Sequence, residues 1–168
     1  MLPTLCILTL LAGCAQKSAD APAPTVSGGG NISFNAGAAS VALANVNATR
    51  GSNITIVAKV VDASGGGYGG GYGGGSGGSS TTYPYLTLTI NGTTAGTYTI
   101  GMQCSALYQP DFNTALSAGT GSGSGTITLS SVNFTPGGSV TGTFSMVVAN
   151  TGGSLTLTGG VINCTFSN

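Results

Sequence analysis

The chain has 168 residues, zero net charge and only 4% charged side chains, with no His and no Glu. That composition excludes nucleic-acid binding through a basic patch, because Lys17, Arg50 and Lys59 are its only cations and cannot cluster enough charge to displace counterions. Without His or Glu, the commonest general base, the commonest metal ligand and every Ser–His pairing are also gone.

Chain order begins with an apolar run, Leu5 to Leu11, followed by Ala12-Gly13-Cys14. The run is far short of the roughly 20 residues a membrane-crossing helix needs. It has the length of a signal-peptide core followed by small residues at a cleavage point. Leu11-Ala12-Gly13-Cys14 matches the lipobox of bacterial lipoproteins. Small side chains suit the peptidase, and the Cys14 thiol is the group that would carry diacylglycerol. A diacyl thioether plus an N-acyl chain gives the more-than-one-chain anchoring that stable attachment requires. The pattern departs from the usual one in having no Lys or Arg before Cys14.

Residues 1–13 therefore read as signal peptide, and 14–30 as a tether rich in Ala, Pro, Ser and Gly that builds no core. Fully stretched, the tether spans up to about 50 Å at ~3.3 Å per residue. No Asp follows Cys14 directly, which favours the outer membrane over inner-membrane retention.

Residues 31–168 alternate apolar and polar side chains between Gly, Asn and Ser punctuation. Short strands are expected over Asn31–Asn35 and Ser40–Asn47, and a stronger one over Asn53–Val61. Residues 65–80 are a Gly- and Tyr-rich low-complexity loop, tolerated because loop length costs little. Tyr85–Ile90 points Leu86, Leu88 and Ile90 inward. The following Asn91-Gly92 predicts a tight hairpin into a return strand, Gly96–Cys104. Ser105–Gly123 reads as irregular. Strands resume at Gly125–Leu129, with a change of parity before Val132 and Phe134 that predicts a bulge. Ser139–Val148, Ser154–Thr158 and Val161–Phe166 complete the chain, with a second parity change at Gly159-Gly160. The expected fold is all-β, an antiparallel sandwich or open barrel of about eight strands.

Cys6 falls in the signal and Cys14 at the anchor, leaving Cys104 and Cys164. Tyr98, Ile100, Met102 and Cys104 share one face at period two, as do Ile162, Cys164 and Phe166. Two inward cysteines in an exported domain predict a disulfide worth about 4 kcal/mol. A metal or redox pair would need further ligands or a Cys-x-x-Cys spacing, and has neither.

Asp20, Asp62 and Asp111 are the only carboxylates, and a glycosidase-like pair would require Asp62 and Asp111 to converge. The glycine runs at 65–80 and 119–125 lack the Lys and the following helix of a phosphate site. No catalytic residue, metal site or cofactor is expected. Tyr83 and Tyr108, near strand ends, are the aromatic candidates for ligand contact, and Tyr98 is expected in the core.

Several segments carry a family resemblance: Ile32–Gly37, Gly51–Val60, Gly96–Ile100, Gly123–Leu129, Val140–Ser145 and Gly159–Phe166. In this order they resemble small Bacteroidetes-type lipoproteins classified only as a domain of unknown function. The resemblance implies a β fold and an envelope location, and brings no active site. The chain departs from that pattern in having no Trp and in its Gly–Tyr insertion. Together these readings describe a lipid-anchored envelope lipoprotein with a non-catalytic binding or structural domain, its partner a glycan or an envelope protein. The alternative is a self-assembling surface subunit whose early strand completes a neighbour's sheet.

Overall fold

A computed structural model describes residues 29–60 and 83–167. The signal, most of the tether, Cys14, Asp20, Asp62 and the 65–80 loop lie outside the described residues.

Eleven strands form among the described residues, more than the number of about eight expected. They are β1 (Gly30–Ala36), β2 (Ala39–Leu43), β3 (Asn45–Arg50), β4 (Ile54–Lys59), β5 (Tyr85–Ile90), β6 (Gly96–Thr99), β7 (Cys104–Gln109), β8 (Leu116–Ala118), β9 (Ser124–Val132), β10 (Ser139–Asn150) and β11 (Gly153–Thr165). The sheet runs β2-β1-β11-β10-β8-β7-β5-β4-β3, and β9 branches from β10 and carries β6. A parallel bridge between Ala48 and Phe166 joins β3 to the end of β11 and nearly closes the sheet into a barrel. A second parallel bridge joins Ile100 to Cys104, and every pairing between the named strands is antiparallel.

Alternation explains the core. Ile54, Ile56 and Ala58 of β4 face Leu86, Leu88 and Ile90 of β5 at matched positions, and all six are buried. Val140, Phe144, Met146 and Val148 of β10 are buried on the same period. The expected bulge lies between Leu129 and Ser131, where the β9–β10 register slips by one residue. The Gly159-Gly160 parity change is also a bulge, so the two strands expected there form one long β11. Gly160 faces inward against the Phe144 ring, where a Cβ would come within 2.5 Å. Gly159 takes the left-handed φ of 60° that the kink requires.

Three expectations are corrected. Asn91-Gly92 does not turn a hairpin: Ile90 pairs with Cys104, so β5 returns through β7, while β6 swings away to pair with β9. Tyr98 folds back over Gly92, leaving no room there for a side chain, and its hydroxyl donates to the Thr94 carbonyl at 2.7 Å. Met102 leaves the inward face because the chain turns at Thr99–Gln103, where the Gln103 N–H donates to the Thr99 carbonyl at 2.9 Å. Met102 is exposed while Tyr98, Ile100 and Cys104 stay in the core. Ser105–Gly123 is not irregular throughout, since it supplies most of β7 and all of β8.

β1 is completed within its own chain. It pairs with β2 on one side and β11 on the other, and Ile32 and Phe34 sit in the core.

Candidate functional site

Cys104 and Cys164 are both buried, as their parity requires, but they are free thiols and not the expected disulfide. The Cys104 thiol donates to the Tyr98 carbonyl at 3.4 Å, and the Cys164 thiol points to the Val140 carbonyl at 3.8 Å. Inward parity puts both sulfurs in the core without making their strands neighbours: β8 and β10 separate β7 from β11 in the sheet. Burial pushes the Cys164 thiol up to about 12 and the Cys104 thiol up to about 11, the latter partly offset by a hydrogen bond from the Ile127 backbone. They act as small apolar side chains, protonated at neutral pH.

Tyr108 is not a ligand contact. It is 3% exposed, its ring packs edge to face on Phe34, and burial raises its hydroxyl above the ordinary range. Its position follows from the β7 alternation, Cys104–Ala106–Tyr108, all of which point inward. Tyr98 is in the core, as expected.

Tyr83 is different. It is half-buried just before β5, and its ring meets Phe112 edge to face, with centroids 6.4 Å apart and planes at 86°. Phe112 lies in the β7–β8 connection and is 80% exposed. Leaving such a ring in water forgoes roughly 1.5–3 kcal/mol relative to burying it. The connection around it is well tied. The Asp111 carboxylate accepts the backbone N–H of Asn113 at 2.8 Å and of Thr114 at 2.9 Å. The Asn150 amide donates to the Ala115 carbonyl at 3.1 Å, pinning the connection to the end of β10. Asp111 therefore shapes its own turn, and its proposed partner Asp62 lies outside the described residues. Next along, Lys59 places its ammonium 5.7 Å from the centre of the Tyr85 ring.

The barrel separates this aromatic corner from the point where the described chain begins. Gly29 is held at the far end of β11, donating its N–H to the Thr165 hydroxyl at 2.7 Å and accepting the Thr165 N–H at 2.7 Å. Ser139 pairs with Thr165 at that end, and β10 runs twelve residues to Asn150 at the other. At ~3.3 Å per residue that is roughly 35 Å of strand.

Sequence reasoning missed Phe112, although an aromatic between Asp111 and Asn113 in a turn is an available signal. No group of three or more His, Cys, Asp or Glu side chains able to hold a metal is found among the described residues. The outer sheet faces carry shallow grooves. One of about 260 Å³ over β5, β7 and β8 is lined by Thr87, Thr89, Ser105, Ser117 and Ser122. Another of about 360 Å³ beside the Gly159 bulge is lined by Thr126, Thr128, Thr143 and Ser145. The first offers the hydroxyls of Thr89, Ser105, Ser117 and Ser122 without a charged or aromatic side chain, and Phe144 is part of the lining of the second.

A family model described as a domain of unknown function (DUF6252) matches residues 77–165. The match takes in Tyr83, Phe112 and the strands from β5 to β11, but neither Ile32–Gly37 nor Gly51–Val60. Comparison with curated proteins and with solved structures finds no match.

Proposed function

For a chain that belongs to the DUF6252 family, we propose the role of a lipid-anchored envelope lipoprotein that displays a non-catalytic binding barrel. Cys14, at the end of Leu11-Ala12-Gly13-Cys14, is the lipid-bearing residue, and the outer membrane is the destination. The single observation that carries the reading is polarity. The described chain begins at Gly29 beside Thr165, while the exposed Phe112 stands at the opposite end of β10 and β11. The sequence from Cys14 joins the barrel at Gly29, so the aromatic corner lies at the end remote from the point where the anchored leader enters. The absence of His and Glu from the sequence, and the commitment of Asp111 to its own turn, support binding over catalysis.

Strand exchange between copies is the less favoured assembly, because Ile32 and Phe34 of β1 already fill their own core. Phase partition in a cloud-point detergent tests the anchor. The wild-type protein enters the detergent phase and Cys14→Ala stays in the aqueous phase; equal partition of the two would refute lipid attachment at this residue.

A further inference from the structure

Phe112 is a large apolar side chain held out in water by a turn with several fixed hydrogen bonds, which is different from a ring on a loose loop. Tyr83 stands perpendicular to it and closes one side. The two rings make a corner, one of them mostly exposed and the other half-buried. The neighbouring chain supplies Gln109, Asn113 and Thr114, which are polar and uncharged. The nearby carboxylate, Asp111, is already engaged by two backbone N–H groups. The Lys59 ammonium lies over the Tyr85 ring.

We propose that this corner is a saccharide site, with Phe112 as the stacking platform and Tyr83 as the side wall. A pyranose ring has a C–H face that packs on an aromatic surface and hydroxyls that amide and hydroxyl side chains satisfy. The surroundings select the charge class. A phosphate, a nucleic acid or an anionic lipid would need cations at the corner, whereas a neutral glycan needs none. The site rests on the reading of the barrel as a displayed binding domain, since it occupies the end remote from Gly29.

Native gels cast with neutral polysaccharides test the site, using the full-length protein extracted in mild detergent. Four probes suffice: an α-glucan, a β-glucan, a xylan and a mannan. At least one retards the wild type, and Phe112→Ala weakens that retardation at least tenfold without lowering the unfolding midpoint. Met102→Ala is the control, because Met102 is equally exposed and lies outside the corner; its retardation matches the wild type. No retardation in any of the four gels overturns the proposal. So does retardation that survives Phe112→Ala, or that Met102→Ala abolishes equally. The detergent partition of Cys14→Ala reads the anchor separately, so loss of the saccharide site leaves the anchoring result intact.

Discussion

Phe34 and Tyr108 meet edge to face across the core, 5.5 Å between ring centroids and 85° between ring planes. Phe34 also lies 5.6 Å from the Phe144 ring. The three rings come from β1, β7 and β10, no two of which are hydrogen-bonded neighbours, so the cluster joins the barrel wall from inside. Tyr108→Ala is expected to cost about 3–5 kcal/mol, as for other buried aromatic truncations. A double-mutant cycle with Phe34→Ala should show coupling of about 0.5–1.5 kcal/mol. Denaturant unfolding measures both. A Tyr108→Ala protein of unchanged stability would contradict its place in the core.

The two buried thiols give a second expectation. A thiol reagent finds neither Cys104 nor Cys164 in the native protein and finds both after denaturation without reductant. Reductant leaves the thermal midpoint unchanged. Both thiols, and the Tyr108 hydroxyl, hold their protons more tightly when folded. A raised folded-state value means the folded protein binds more protons than the unfolded chain. Their contribution is therefore complete below about pH 9 and is lost as pH rises towards about 12. Urea midpoints measured from pH 7 to 11 should fall only at the alkaline end. A drop confined to acid, or a disulfide recovered from the denatured protein, would refute this account.

Gly160 has no space for a side chain. It sits opposite Phe144 in the register, and a Cβ would lie 2.5 Å from that ring. Either the ring or the β11 bulge must shift to admit a methyl group, an overpacking cost of about 1–3 kcal/mol. Gly160→Ala should lower the urea midpoint with little change in slope. Gly51→Ala, where the nearest atom is a side-chain oxygen 3.9 Å away, should not.

Thr87 provides the opposite case. Its hydroxyl is shut from water and has no hydrogen-bond partner, in register between Val57 and Leu107. An unsatisfied buried polar group costs about 1–3 kcal/mol. Thr87→Val keeps the branched shape that suits a strand and removes the orphan oxygen. It is expected to stabilise the protein by about 1 kcal/mol, read from the same unfolding curves. Destabilisation would show that the hydroxyl has a partner in solution.

Much of the barrel is legible in the sequence because side-chain parity is a local property. Ile54, Ile56 and Ala58, Leu86, Leu88 and Ile90, and the two parity changes at 130 and 159 all follow from period two. The choice of strand partner is not local. Asn91-Gly92 has the composition of a hairpin turn, yet β6 gains more by lying on β9, where Tyr98 pairs with Ile127 and Thr97 bonds to Thr128 at 3.1 Å. Ser105–Gly123 hides β7 and β8 because Ser, Ala and Gly bear little apolar signal, although extending the alternation from Cys104 places Tyr108 inward. The same gap conceals the site. Tyr83 is recognisable as an aromatic at a strand end, but its partner Phe112 comes from a connection that only the β5–β7 pairing brings alongside.

Cys14 carries the central claim, and mass spectrometry of the N-terminal peptide from the full-length, membrane-extracted protein tests it most directly. The account predicts that the mature chain begins at Cys14, its sulfur joined to diacylglycerol and its amino group acylated. A peptide continuous across Gly13–Cys14, or one bearing an unmodified Cys14 thiol, would contradict it.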